Sequence, residues 1–339
     1  MSGPVPAAHP EVIAVRSPNW LGDTVMALPM LAALRAAQAG SRITVVGRWA
    51  PLLAGQGVAD VLLPYPKSIG ARWRLARALA AERPDLAILL PSSLESALAA
   101  WRWGARRRVA YATDGRAMLL TDALVLPSPR AHQVDEYAAL LAPLGVAGAA
   151  TVPAWILPKD AAADAEVDEL LALAGPGAEA PRVGLHLGAA FGSSKLWPAE
   201  AFGRLARLLR AAGLRPVLLG TPDDATTAAA VTRAAETEVA SLVGRDRPAI
   251  LPRLLSRFRC LVSGDTGVAH LAAAVGVATV TLFGPTDRRL TAPRGPAARV
   301  IDRAAPCAPC FRPTCPIDHV CLTSIEPEAV LHEVRCAVA

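Results

Sequence analysis

Apolar positions along the chain fall into short continuous runs of β-forming residues. These alternate with longer stretches in which apolar residues recur at helical spacing. In the first half the runs predict strands at Val12–Ser17, Ile43–Arg48, Val61–Pro64, Leu86–Pro91 and Arg108–Ala112, with helices over 24–38, 72–83 and 94–105. In the second half they predict strands at Val183–Leu187, Pro216–Gly220, Cys260–Ser263 and Thr279–Phe283, with helices over 198–212, 223–235 and 248–258. Strands that are apolar throughout are covered on both faces, and strands separated by helices pair in parallel. The expected fold class is therefore α/β, with doubly wound sheets.

The rhythm lapses between 148 and 181, where Gly148, Pro153, Pro158 and Gly175-Pro176-Gly177 flank one short helical stretch over 160–174. A junction there divides the chain into domains 1–158 and 159–339, each large enough to hold its own core. Two doubly wound domains that face each other enclose a central cleft. Open parallel sheets bind ligands beyond the carboxyl ends of their strands, so the chemistry is expected in the strand-to-helix loops.

Composition refines this picture. Hydrophobic residues make up 53% of the chain but aromatics only 4%, so the cores are largely aliphatic. The net charge of +6 is unevenly placed: residues 1–150 hold fifteen Lys/Arg against ten Asp/Glu, while 151–339 are nearly balanced. The first domain thus carries a positive field that attracts an anionic partner, although solubility alone also accounts for a modest charge. Met1 to Pro10 lack both a basic start and an apolar run, so no secretory leader is expected. Thr266–Pro285 has membrane-like length without Asp, Glu, Lys or Arg, but His270, its glycines and Pro285 split it into a helix and a strand. A cytosolic protein with reduced thiols follows.

Four strand-end motifs carry candidate chemistry. Asn19-Trp20-Leu21-Gly22-Asp23 follows the first strand and opens a helix. Gly22 suits a tight turn, and Asp23 can cap the helix or take a proton from an attacking hydroxyl. In Gly192-Ser193-Ser194-Lys195-Leu196-Trp197-Pro198 small residues admit a phosphate to the backbone, with Ser193, Ser194 and Lys195 as donors. An ordinary polar loop is an equal reading, and the Gly-Lys-Ser/Thr of a P-loop is missing. Gly264-Asp265-Thr266-Gly267-Val268-Ala269-His270 places free N–H groups and a Thr hydroxyl at a helix start, which suits an anion. There Asp265 is alternatively a cap and His270 a core residue. In Phe283-Gly284-Pro285-Thr286 the Gly-Pro pair forces a turn, with Thr286 beside the expected cleft, and a purely structural turn is the competing reading.

These four segments, in this order, resemble the heptosyltransferases of glycosyltransferase family nine, and among them the lipopolysaccharide heptosyltransferase II type. The resemblance spans nearly the whole chain. It implies a GT-B fold, ADP-L-glycero-D-manno-heptose as donor, a heptosyl-Kdo-lipid A acceptor and inversion at the anomeric carbon. It further implies Asp23 as catalytic base, Lys195 as a donor-contacting lysine, and Asp265, Thr266, Gly267 and His270 as the diphosphate segment. Asn19, Trp20, Gly22, Ser193, Ser194 and Thr286 complete the expected substrate site. Asp224, within Gly220-Thr221-Pro222-Asp223-Asp224, matches an acidic residue near the donor by a looser alignment. A single displacement of this kind requires no cofactor.

The basic first half fits this reading. Arg72-Trp73-Arg74, Trp101-Arg102-Trp103 and Arg106-Arg107-Arg108 combine aromatics with cations, as suits an anionic lipid surface. The expectation is a cytoplasmic enzyme, peripheral to the inner membrane, that does not bind nucleic acid. Helices that pack these Trp residues inward are the competing reading. Cys307, Cys310, Cys315 and Cys321 lie in a Pro-rich stretch with His319 nearby. Four thiolates at short spacing can hold Zn²⁺ tetrahedrally, and only the first pair has the usual spacing, so free thiols or a disulfide compete with a metal. Two other functions remain open: a family-nine transferase with a different donor or acceptor, and a non-catalytic nucleotide-binding protein whose Cys segment does the work.

Overall fold

Aliphatic runs become strands, and each strand pairs with its neighbours in parallel. The computed structural model describes residues 10–175, 180–245 and 247–338. The chain start, on which the leader expectation rests, and Pro176-Gly177 of the expected linker lie outside the described residues. The chain divides into two compact units, Met1–Val152 and Pro153–Ala339.

The first unit holds β1 (Val12–Arg16), β2 (Arg42–Val46), β3 (Val61–Leu63), β4 (Leu86–Leu89), β5 (Arg107–Tyr111) and β6 (Asp122–Leu124), in the order β3-β2-β1-β4-β5-β6. Its helices are α1 (Leu21–Met26), α2 (Leu28–Ala37), α3 (Ile69–Ala81), α4 (Leu94–Arg102) and α5 (Gln133–Ala139). The helix expected over 24–38 is thus two helices. Pro29 has no N–H to continue the ladder, so α1 stops at Met26 and α2 restarts with Pro29 in its first turn.

The second unit opens with α6 (Ala161–Leu173) and holds β7 (Arg182–His186), β8 (Arg215–Leu219), β9 (Ala240–Ser241), β10 (Cys260–Gly264), β11 (Ala278–Phe283) and β12 (Ala298–Asp302). Their order, β12-β11-β10-β7-β8-β9, repeats that of the first unit. Between the strands run α7 (Ala199–Ala211), α8 (Ala225–Ala235), α9 (Leu251–Leu255), α10 (Gly267–Val275) and α11 (Arg288–Thr291), followed by α12 (Val320–Thr323) and α13 (Pro327–Val338). In both units the order reverses between the first and fourth strands, the switch point at which doubly wound sheets take ligands. Thr266–Pro285 is α10 followed by β11. Among the described residues no helix is long and apolar enough to cross a membrane.

Both cores are aliphatic. In the first, Ala14, Val46, Ala87 and Leu89 pack against Ala97, Ala100 and Trp103 of the α4 segment. In the second, Val183, Leu185, Val262 and Val280 pack with Phe202, Leu205 and Leu209 of α7 and with Val330 and Val334 of α13.

Two features of the second unit yield measurable consequences. A Cβ at Gly203 would lie 2.7 Å from backbone atoms of Ala234 and Ala235, so α7 and α8 touch at backbone level. Gly203→Ala gains about 1 kcal/mol of helix propensity but forces the helices apart, which costs about 1–3 kcal/mol. A lower melting temperature is expected, and an unchanged or higher one would show that the helix pair yields freely. The second feature is His186, buried at the end of β7, where burial pushes its pKa from 6.5 down to about 4, with Asp224 acting weakly in the opposite direction. The unfolded chain therefore binds this proton at a higher pH than the folded one, so stability falls as pH drops from 6.5 towards 4. The full effect is about 3 kcal/mol. Urea midpoints at pH 7.5 and pH 5 should differ accordingly, and His186→Gln should flatten the difference.

Candidate active site

In the first unit, the chain leaves β1 through Ser17-Pro18-Asn19-Trp20 and enters α1. Arg16 anchors this loop: although buried, it donates from Nη2 to Asn19 Oδ1 (2.8 Å) and from Nη1 to the Ser17 carbonyl (2.6 Å). Its guanidinium stacks 3.8 Å from the centre of the Tyr65 ring. Trp20 supplies the backbone cap of α1 and leaves its indole 51% exposed. Gly22 is buried in the first turn of α1 and is not among the positive-φ residues. The tight turn expected at Gly22 is therefore made by the residues before it, where Pro18 restricts the backbone.

Asp23 sits in the first turn of α1 but does not cap it, since Trp20 occupies the cap position without a side-chain bond. The Tyr137 hydroxyl donates to Asp23 Oδ1 at 3.2 Å. Burial pushes the Tyr137 phenol well above its usual range, and the Asp23 carboxylate adds to that, so the hydroxyl keeps its proton. Tyr137 is placed by α5, whose Glu136 is buried and held bidentately by Arg130 at 2.6 and 2.7 Å. The Tyr111 hydroxyl also donates to the Glu136 carbonyl, at 2.7 Å. In the sequence Arg16 opens the first strand-end motif without a role of its own, and Tyr137 does not stand out. Arg16 is the end of a strand, and Tyr137 lies 114 residues from its partner on a helix with weak periodicity.

In the second unit, β7 and β10 are adjacent, with His186 opposite Ser263. The loops that follow them therefore lie side by side. Lys195 Nζ donates to Asp265 Oδ2 at 2.5 Å and to the Asp265 carbonyl at 3.1 Å. Thr286, from the loop after β11, donates to the same Oδ2 at 2.7 Å. His270 Nε2 is 4.0 Å from Asp265 Oδ1. Three expected site residues thus converge on the buried carboxylate of a fourth, with Lys195 Nζ also 4.8 Å from the Phe191 ring centre.

The α10 cap is Thr266, not Asp265, and it has no side-chain cap bond. The Thr266 hydroxyl pairs instead with Ser263 Oγ at 2.9 Å. Gly267 is the first residue of α10, and His270 lies buried one turn in. Gly264 is required for this approach: a Cβ there would come within 2.8 Å of the Lys195 carbonyl oxygen.

The remaining expected residues are placed less directly. Ser193 is exposed. Ser194 is buried, and its hydroxyl donates to the Arg312 carbonyl at 2.5 Å. Asp224 accepts from the Thr221 N–H (2.8 Å) and hydroxyl (2.9 Å) and so closes the first turn before α8. Its carboxylate fills the space beside Gly188, where a Cβ would lie 2.5 Å from Oδ2. Asp224 thus borders the Gly188–Lys195 loop while acting as a local cap.

Cys307, Cys310, Cys315 and Cys321 are all free thiols. Among the described residues no group of three or more His, Cys, Asp or Glu side chains is arranged to hold a metal ion, so the Zn²⁺ reading of the Cys segment finds no support. In the basic stretch, Trp103 is buried, whereas Trp73 and Trp101 are about half exposed. The Arg102 guanidinium lies 4.4 Å from the centre of the Trp73 ring. Arg106 pairs with Asp85, and Arg107 with Asp122 at 2.7 Å.

Comparison with known proteins accords with this geometry. The profile of glycosyltransferase family 9 (heptosyltransferase) matches residues 72–321. The lipopolysaccharide heptosyltransferase 2 of Salmonella typhimurium is 30% identical over 303 residues, covering 85% of this chain and 87% of that protein. The Escherichia coli K12 protein of the same name matches to the same extent. The solved structure of E. coli ADP-heptose LPS heptosyltransferase II superposes with a TM-score of 0.79 at 26% identity, over 96% of this chain and 98% of that one. A glycosyl transferase family 9 structure from Veillonella parvula, at 23% identity, gives 0.85 over 97% of both chains and bears on the fold alone. Two doubly wound units, four motifs in register and these matches together make the chain a member of glycosyltransferase family 9, a glycosyltransferase of the GT-B class.

Proposed function

We propose that the enzyme transfers L-glycero-D-manno-heptose from ADP-heptose to the heptosyl-Kdo-lipid A inner core of lipopolysaccharide, with inversion. The observation that carries this reading is the convergence of Lys195, Thr286 and His270 on Asp265 at the start of α10, in a chain 30% identical to lipopolysaccharide heptosyltransferase 2 over most of its length.

The chemistry follows from what each group can supply. Asp23 takes the proton from the acceptor hydroxyl as that oxygen attacks the anomeric carbon. The donor's glycosidic C–O bond breaks, and its electron pair leaves with the nucleoside diphosphate. Charge that builds on the leaving phosphate is met by the Lys195 ammonium and by the free N–H groups at the start of α10. Asp265 holds Lys195 in place before the donor arrives, so little reorganisation is left for the reaction itself. The Tyr137 hydroxyl orients the Asp23 carboxylate. This displacement uses one carboxylate and no cofactor. Asn19, Trp20 and Gly22 belong to the acceptor side. Ser193, Asp224, Thr266 and Gly267 belong to the donor side. The half-exposed Trp73 and Trp101, with Arg102 over the Trp73 ring, suit an anionic lipid headgroup region, which supports work at the cytoplasmic face of the inner membrane.

Two measurements test the proposal. Asp23→Asn keeps the shape and removes the basicity. Transfer should fall by about 100-fold or more, the scale of general-base assistance, while donor affinity stays within a few-fold. Turnover close to that of the unaltered enzyme would remove Asp23 from the role. Separately, a panel of nucleotide sugars should raise the melting temperature most for ADP-heptose, because a ligand that binds only the folded state stabilises it. A larger shift with a UDP- or GDP-sugar would reassign the donor.

A further inference from the structure

The Cys-rich segment after β12 is given no part in the chemistry above, yet its backbone grips two loops of the donor site. The Ser194 N–H donates to the Pro313 carbonyl at 3.1 Å, and the buried Ser194 hydroxyl donates to the Arg312 carbonyl at 2.5 Å. On the other side, the Pro285 carbonyl accepts from the N–H of Cys310 at 3.0 Å and of Phe311 at 2.8 Å. The fit against the first loop leaves no room. Gly192 has φ of 146°, and a Cβ there would lie 2.2 Å from the Pro313 carbonyl oxygen. Phe311 is held at φ of 54°, a left-handed conformation that a bulky residue adopts only when its surroundings impose it.

Each gripped loop delivers one donor to Asp265. Ser194 immediately precedes Lys195, and Pro285 immediately precedes Thr286. Three main-chain hydrogen bonds and one from the Ser194 hydroxyl, all made with one short segment, therefore set the loops that present the ammonium and the hydroxyl.

We propose that residues 310–313 form a positioning strap for the donor diphosphate, and that Ser194 acts through this strap and not by touching the donor. The inference rests on the reading of Lys195 and the start of α10 as the diphosphate site. Because the coupling is reciprocal, a ligand that needs the loops in place must also tighten the strap.

Calorimetric titration with ADP and amide hydrogen exchange of the full chain test this. In the unaltered protein, ADP should slow exchange at the Cys310 and Phe311 amides several-fold. Ser194→Ala should weaken ADP binding about ten-fold, the scale of one lost hydrogen bond in a buried site, and should erase most of that protection. Strap amides whose exchange ignores ADP would overturn the proposal without any variant, even if Ser194→Ala folds poorly. Normal ADP affinity in Ser194→Ala would overturn it too. Lys195→Ala separates the two claims. If it loses ADP while Ser194→Ala binds normally, only the strap fails. If Lys195→Ala binds ADP as the unaltered protein does, the diphosphate reading fails and the strap proposal with it.

Discussion

The parallel pairing of β7 with β10 is the constraint from which the proposed donor site follows. Both strands run in the same direction, and β7 is followed by β8 on one side while β10 is followed by β11 on the other. Their carboxyl-terminal loops cannot cover each other and must open a crevice. Lys195 reaches Asp265 because these loops emerge from adjacent strands, not because the residues are near in sequence. The β1–β4 pair places Asp23 in the same way, in a unit with the same strand order. A topology repeated in both halves thus presents one carboxylate from the first unit and one lysine–aspartate pair from the second.

A buried lysine–aspartate pair is a poor device for stability alone, since desolvating both charges cancels much of their attraction. Side-chain exposures of 11% and 6% place Lys195 and Asp265 in that regime. In the reaction proposed above, its value lies in holding an ammonium in a fixed place in low-dielectric surroundings, where it acts strongly on charge that develops later. Glycine makes the approach geometrically possible. Gly264 lets the Lys195 backbone lie against β10, and Gly188 lets the Asp224 carboxylate sit against the same loop. A side chain at Gly264 would meet the Lys195 backbone and push that loop outward, whereas one at Gly188 would displace the Asp224 carboxylate.

Most of the interior was legible in the sequence because interior strands of a parallel sheet are apolar on both faces. Val12–Arg16, Leu86–Leu89, Arg182–His186 and Cys260–Gly264 all fall within a residue or two of their predicted bounds. Of the four edge strands only β3, predicted at Val61–Pro64, was legible. Asp122–Leu124 and Ala240–Ser241 are two or three residues long and partly exposed, and their extended form comes from the strand beside them. Ala298–Asp302 has only Val300 and Ile301 as adjacent apolar residues, flanked by Arg299 and Asp302, a run too short to read as a strand. The site divides in the same manner. Asp23, Lys195 and Asp265 sit in strand-end motifs that a sequence displays. Tyr137 has no such mark, because α5 is a seven-residue helix and its partner is brought in by the fold.

Ser194 shows how local reading and folded structure assign different work to one side chain. In sequence, a serine beside a lysine in a glycine-containing loop reads as a phosphate donor. In the fold its hydroxyl and N–H both point into backbone carbonyls of a segment more than a hundred residues away. A hydroxyl buried in this way is unavailable to a ligand unless its bond breaks, and breaking it would leave the Arg312 carbonyl without that donor at a cost of about 1–3 kcal/mol. The loop then has two kinds of polar residue: Lys195, whose charge faces the Asp265 side, and Ser194, whose bonds fix the backbone that carries Lys195. Anion binding at a loop of this kind depends as much on the second kind as on the first, because a flexible lysine gains little from a charge it cannot hold in register.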